Sequence, residues 1–210
     1  MDTAKRGFTL LELLIVIAIL AILASVTFVA LNPAELLKKS RDSQRLADLA
    51  SMRTAINYYI ANTSSPVLGT NSTTGCQTNT TPSVYSHVSG VVALTTFTTS
   101  AATTAQGVDG TGWIKVPLTT LTGGSPLSRW PIDPNLTAAN ASPGRYYAYV
   151  CDNVDTTFEL FANMESLTYS QNGSGDVENR DGGSMPGVYE IGTELGLVAT
   201  TSGNFYNGGN

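Results

Sequence analysis

The chain has 210 residues, 42% of them hydrophobic and only 13% charged, with a formal net charge of −5 and two cysteines. That length leaves room for one domain with a core once an apolar N-terminal stretch is set aside. Two cysteines are too few for a disulfide scaffold and are wrongly spaced for a metal knuckle. From Ala61 onward there are 4 basic residues against 11 acidic ones, which leaves no electrostatic footprint for nucleic acid.

The first predicted element is a membrane-spanning helix over residues 8–31. Of the 24 residues from Phe8 to Leu31, 20 are apolar and one, Glu12, is charged. As a helix they reach ~36 Å, enough for a hydrocarbon core of ~30 Å. An ionised carboxylate at such a depth costs at least ~2.5 kcal/mol and calls for a functional explanation. A secretory signal peptide cut after Ala24 would explain Lys5 and Arg6 as its basic n-region, but the apolar run is too long and Glu12 is out of place. A plain signal anchor also uses Lys5 and Arg6, by the positive-inside rule, and leaves Glu12 idle.

A third reading accounts for every polar residue. The stretch Lys5-Arg6-Gly7-Phe8-Thr9-Leu10-Leu11-Glu12 resembles the processing site of type IV prepilins and the related pseudopilins of type II secretion. That resemblance implies a leader, residues 1–7, removed by a prepilin peptidase that cuts between Gly7 and Phe8. It also implies N-methylation of the new terminal Phe8, and it makes Glu12 the fifth residue of the processed chain. There Glu12 can meet the N-terminal ammonium of a neighbouring Phe8, so that two costly charges satisfy each other in a low-dielectric filament core.

Asn32-Pro33 interrupts the apolar pattern, because proline lacks an amide donor and disfavours helix in the residue before it. Helical spacing resumes over residues 32–61, with Leu46, Leu49, Met52, Ile56 and Tyr59/Ile60 three or four apart, an amphipathic stripe suited to packing on a sheet. The remaining face carries Lys38, Arg41, Asp42, Arg45 and Asp48, with Lys38–Asp42 and Arg45–Asp48 as expected pairs. The basic cluster Lys38, Lys39 and Arg41 suits lipid headgroups or acidic neighbours as well as it suits a solvated face.

Residues 62–112 read as a Ser/Thr-rich loop insertion; between 62 and 111, 21 of 50 residues are Ser or Thr. The stretch 64–83 is punctuated by Gly, Pro and Asn as loops are, and 91–104 is β-branched enough for a strand or a short helix. His87, the only histidine, has no partner for metal or catalysis nearby in sequence. Residues 113–210 read as a β-sheet head with a C-terminal tail. "RWPIDPN" (129–135) is a proline-locked connection. "RYYAYVC" (145–151) and "TFELFANM" (157–164) form an antiparallel hairpin whose turn uses Asp152 and Asp155, and "GVYEIGTELGLV" (187–198) is a last strand. The succession Asp133-Pro134, Tyr-rich strand, Phe158-Glu159-Leu160 and Tyr189-Glu190 resembles the head of major pseudopilins and pilins, more loosely than the N-terminus does.

Cys76 and Cys151 are joined if the head is exported, closing a loop for ~4–5 kcal/mol; two buried free thiols are the alternative. "GDVENRDGG" (175–183) clusters Asp176, Glu178 and Asp181 in a Gly-containing loop. Oxygen-rich flexible loops suit calcium, and the pseudopilin resemblance implies a calcium-binding C-terminal loop. Arg180 within the loop counts against a cation, and a solvated loop is the competing reading. No other cofactor is expected.

The fold class expected is therefore α+β: a long N-terminal helix, half membrane-spanning and half amphipathic, packed on a small antiparallel sheet. One His, two distant Cys and no phosphate-binding Gly-rich loop supply no catalytic constellation, so an enzyme is not expected. The resemblance implies a structural subunit that polymerises into a type IV pilus-like filament. Its implied partners are copies of itself, minor pilins, the prepilin peptidase, an inner-membrane assembly platform and lipid. Before assembly the chain would be single-pass in the inner membrane with its head outside, and afterwards part of an extracellular or periplasmic filament. The alternatives are a pseudopilin of a type II secretion system, a membrane-anchored binding module and a secreted hydrolase.

Overall fold

The computed structural model describes residues 7–69, 76, 83–86, 98, 99, 105–136 and 145–197. Two compact units divide the chain, Met1–Lys38 and Lys39–Asn210. The first unit contains helix α1, Leu10–Leu31, whose described side chains are all exposed. It stops at Asn32, which adopts a left-handed conformation at φ 40°, one that Asn tolerates better than most residues. Helix α2, Pro33–Asn62, starts at the next residue. Proline suits a first helical position, since its missing N–H has no intrahelical partner there. The Asn32 carbonyl and side chain both accept the Glu35 N–H, at 3.0 and 3.4 Å, so one residue ends the first helix and begins the second.

In the second unit α2 buries Leu49, Met52, Ala55, Ile56 and Tyr59, as the three-and-four spacing predicts. They join one core cluster with Trp113, Ile114, Val116, Leu118, Trp130, Tyr149, Cys151, Phe158 and Leu160. The opposing sheet has five strands in the order β2-β1-β3-β4-β5. These are β1 Ser83–Ser86, β2 Thr98–Thr99, β3 Ala148–Asp152, β4 Thr157–Ala162 and β5 Tyr189–Gly192. All neighbours are antiparallel except the short edge strand β2, which runs parallel to β1. The fold is α+β.

The β3–β4 hairpin pairs Cys151 with Phe158 and Tyr149 with Leu160. Its turn is held by the Asp152 carboxylate, which accepts the Val154 N–H at 2.7 Å, the local side-chain-to-backbone bond that favours Asp in turns. Alternation along β3, β4 and β5 turns Tyr149, Cys151, Phe158, Leu160 and Ile191 toward α2 and its core cluster. Ala148, Val150, Glu159, Phe161 and Glu190 fall on the other face, and all five are buried.

Three expectations are corrected. The 62–112 segment is more than a loop insertion: β2 falls within the 91–104 stretch expected as a strand or short helix, but β1 lies in a stretch with no such signal, and Ser83–Ser86 gains its strand from the pairs Ser86↔Ala148 and Val84↔Val150, not from composition. The last strand is only four residues, Tyr189–Gly192, rather than most of 187–198. On α2, Lys38 pairs with Glu35 at 3.9 Å instead of Asp42, and Arg45 pairs with Asp42 instead of Asp48. Asp42 and Arg45 are fully buried because distant loops bring the Asp133 and Glu165 carboxylates to Arg45 and the Glu165 and Ser166 N–H groups to Asp42. Lys5, Arg6, His87 and the 198–210 tail lie outside the described residues.

Candidate processing and assembly site

The chemistry proposed for the N-terminus depends on where α1 begins. Thr9 is its N-cap, with extended backbone at φ −78°, ψ 149°. The Thr9 hydroxyl oxygen accepts the Glu12 N–H at 3.2 Å, and Glu12 Oε2 accepts the Thr9 N–H at 3.1 Å and its hydroxyl at 2.9 Å. This reciprocal capping box satisfies amide donors that a helix start leaves orphaned. Its Thr-x-x-Glu signature was legible in the sequence, yet the sequence reading assigned Glu12 only an intermolecular role.

Just upstream, Gly7 has open space around it, with nothing within 4 Å of where a Cβ would stand. Phe8 is 83% exposed. The Gly7–Phe8 bond thus lies outside the helix and is exposed. Beyond Glu12 the apolar face has no polar side: Leu10–Phe28 is the one described helix long and apolar enough to cross a membrane. A helix that is apolar all round needs lipid or other helices about it.

Residues 2–28 match the family model of the prokaryotic N-terminal methylation motif. The N-terminal segment carries that motif. Beyond the motif, the chain is similar to the Type IV major alpha-pilin of Moraxella bovis, 38% identical over 71 residues, 34% of this chain and 43% of that protein. It is also 38% identical to Fimbrial protein Q of Moraxella bovis over 66 residues, 31% of this chain and 41% of that protein. The chain therefore spans less than half the length of these curated relatives. No solved structure matches it.

In the head, Cys76 and Cys151 are bonded, with Cα atoms 4.8 Å apart across a sequence separation of 75. The bridge fastens the 62–112 segment to β3, and both cysteines belong to the core.

Asp176, Glu178 and Asp181 do not converge on a common point for a cation. Each carboxylate holds peptide N–H groups instead. Asp176 accepts from Asn172, Glu178 and Asn179; Glu178 from Met164 and Gln171, at 2.7 and 2.8 Å; Asp181 from Gly183 and Glu190. Among the described residues no three His, Cys, Asp or Glu side chains are gathered as a metal-ion donor set. These carboxylates fold the 164–190 segment onto itself, replacing regular secondary structure as the sink for its backbone donors. Burial pushes the Glu178 carboxyl up to about 7, against the two N–H bonds that lower it and with help from nearby Asp176. Burial likewise raises Asp181.

The sequence reading also missed a buried ionic cluster. Arg45 donates to Asp133 twice at 2.7 Å, to Asp42 at 2.7 Å and to Glu165 at 2.5 Å. Arg41 adds Nη2–Oε2 at 2.6 Å to Glu165. Asp42 in turn accepts the Glu165 and Ser166 N–H groups. Burial opposes the Glu165 charge, but the hydrogen bonds from Arg41 and Arg45 outweigh it and hold the carboxyl down to about 2. Of the basic cluster Lys38, Lys39 and Arg41, which suits lipid headgroups, acidic neighbours or a solvated face, Arg41 thus meets an acidic neighbour, Glu165.

Proposed function

We propose that this chain is a pilin-like structural subunit, cut between Gly7 and Phe8, N-methylated at Phe8, and assembled into a type IV pilus-like filament through its apolar N-terminal helix. The observation that carries this reading is the methylation motif placed at the mouth of a fully exposed apolar helix. Such a helix is stable only in lipid or against other apolar helices. In the precursor the membrane serves; in the filament, α1 helices of other copies do. Supporting it are the exposed Gly7–Phe8 bond and the similarity to two curated proteins whose names are pilin and fimbrial.

Glu12 has two partners in succession on this reading. Its carboxylate caps its own helix through Thr9, and after cleavage it faces the ammonium of a neighbouring Phe8. The precursor sits in the inner membrane with the head outside, and the chain is not an enzyme but a substrate of the peptidase and methylase. Its other partners are minor pilins and an assembly platform.

Mass spectrometry of the protein from sheared surface filaments and from membranes tests this. Expected is an N-terminal methyl-Phe8 in both. An intact Met1 would make it an anchored protein, and a start at Ser25 a secreted one; either overturns the proposal.

A further inference from the structure

At the outer edge of the sheet two glutamates meet in the protein interior. Glu159 on β4 and Glu190 on β5 are 0% and 1% exposed. In the ladder Glu159 stands opposite Gly192, and Glu190 opposite Phe161, so the two lie diagonally on one face, within reach of each other for long side chains. That diagonal register and their common burial bring the two carboxyl groups together on one dry face. Glu190 Oε2 also accepts the Met185 N–H at 2.8 Å, while its Oε1 is buried with no well-formed bond from an amide or hydroxyl. The carboxyl is boxed in: a Cβ on Gly183 would collide with it, so it has no room to swing outward.

Two carboxyl groups hydrogen-bond to each other only when one of them carries a proton, and two carboxylates in contact away from water cannot both ionise without large cost. We propose that Glu159 and Glu190 share one proton, which latches β5 to β4, and that its loss to water loosens the β5 edge and the segment leading into it. When the O–H bond breaks, the proton passes to solvent and two buried carboxylates remain. The other charged and titratable groups around the cleft beside Glu190 are Arg53 of α2, Asp181 of the preceding loop and Tyr189 of β5. Asp181 Oδ2 accepts the Glu190 N–H at 2.6 Å and adds a further negative charge, so it opposes deprotonation. Burial, its largest cause, raises the Glu190 carboxyl in the same direction.

Among the described strands, the latch sits where β5 has β4 as its one neighbour. It makes this edge of the head alkali-labile, while among the described residues the α2 side of the sheet is an apolar core without such a pair.

Hydrogen exchange of the full chain in detergent micelles tests the latch. Protection factors of Tyr189–Gly192 are read at about pH 5 and about pH 9, with Ala148–Asp152 as the internal reference. In the wild type, β5 protection should fall about tenfold per pH unit above the midpoint, the signature of one lost proton. In Glu190→Gln and in Glu159→Gln, an amide N–H takes the place of the shared proton at every pH, and protection should stay level. Equal β5 protection at both pH values in the wild type overturns the proposal, as does a parallel fall in the Gln variants. If the variants fail to fold, the infrared C=O stretch of a protonated carboxylic acid in the neutral wild type decides; its absence rejects the shared proton. Calcium chloride that abolishes the wild-type fall would replace the proton by a cation, and also overturns it.

Discussion

The guanidinium of Arg45 grips both oxygens of Asp133 at 2.7 Å, across 88 residues of sequence, with neither side chain exposed to solvent. Asp133 belongs to the "RWPIDPN" connection, whose two prolines fix its backbone, and Arg45 to the middle of α2. Through Glu165 and Asp42 the same arginine also reaches the segment that leaves β4. One cation thus ties a helix to two irregular segments that cannot hold themselves by strand pairing.

Removing Arg45 takes the shared cation from three carboxylates; Glu165 keeps Arg41 and Asp42 keeps two peptide N–H groups, while Asp133 is left buried without its cation. Breaking a buried pair by deleting one partner costs about 3–5 kcal/mol, so Arg45→Ala should lower the urea midpoint of the head substantially. Unfolding can be followed by the fluorescence of Trp113 and Trp130, both fully buried. Arg45→Lys should rescue little, because an ammonium lacks the fork that binds both Asp133 oxygens. A loss near zero for Arg45→Ala would mean that water has replaced the guanidinium at little cost.

The disulfide supplies a second independent clamp. Joining Cys76 to Cys151 closes a loop of about 75 residues, worth about 4–5 kcal/mol in the chain-entropy account. Cys76→Ala with Cys151→Ala should destabilise the head by an amount of that order, and reduction of the wild type should mimic it. Equal urea midpoints of oxidised and reduced protein would contradict this.

Acid and alkali act on different carboxylates. Glu165, held at about 2 in the folded chain against an ordinary value near 4.3, contributes stability that is present above the unfolded value. That contribution is lost as pH falls through the range from about 4 to about 2. Glu178 has the opposite sign. Its folded value is raised to about 7, so its favourable contribution is complete below the unfolded value and disappears as pH rises from about 4 to about 7. Glu165→Gln should therefore flatten the acid limb of the stability curve and Glu178→Gln the neutral one. Urea midpoints between about pH 2 and about pH 8 separate the two; an unchanged neutral limb in Glu178→Gln would remove that residue from the account.

How much of this was legible beforehand follows from the range of each interaction. The apolar stripe of α2, the Asp152 turn of the hairpin and the helix break at Asn32-Pro33 depend on neighbours within a few residues, and periodicity or turn chemistry displays them. The processing motif is equally local. Burial of Arg45 is not, because its partners lie 88 and 120 residues away; along α2 alone, an arginine flanked by aspartates looks like a solvated face. The short strand β1 escaped for the same reason, since a Ser-Val-Tyr-Ser stretch takes its conformation from β3. The Asp176–Asp181 loop shows the converse limit. Its acidic composition was visible, but the peptide donors that occupy those acids come from Met164, Gln171, Asn172, Gly183 and Glu190.

Glu12 offers the sharpest test of the proposed assembly, because its two partners ask for different properties. The capping box needs an acceptor at the third helical position, which glutamine also provides. Pairing with the Phe8 ammonium of a neighbouring copy needs a negative charge. Glu12→Gln should therefore keep the start of α1 and membrane insertion, yet leave an incoming ammonium unpaired, at about 3–5 kcal/mol per subunit. Filaments should be absent or much shortened. Glu12→Ala loses the charge and also the acceptor for the Thr9 N–H and hydroxyl, half of the capping box, and should do no better. Thr9→Ala keeps the carboxylate but removes the hydroxyl that binds it, so it should fray the first turn while still allowing filaments. Cleavage at Gly7–Phe8 should persist in all three variants, since the scissile bond is untouched, and the head should keep its urea midpoint, since the box is confined to residues 9–12. Electron microscopy of filaments, beside mass spectrometry of the membrane-bound protein, reads these outcomes. Normal filaments in Glu12→Gln would show that the carboxylate serves the helix cap alone, and loss of all three variants from the membrane would place its role in insertion.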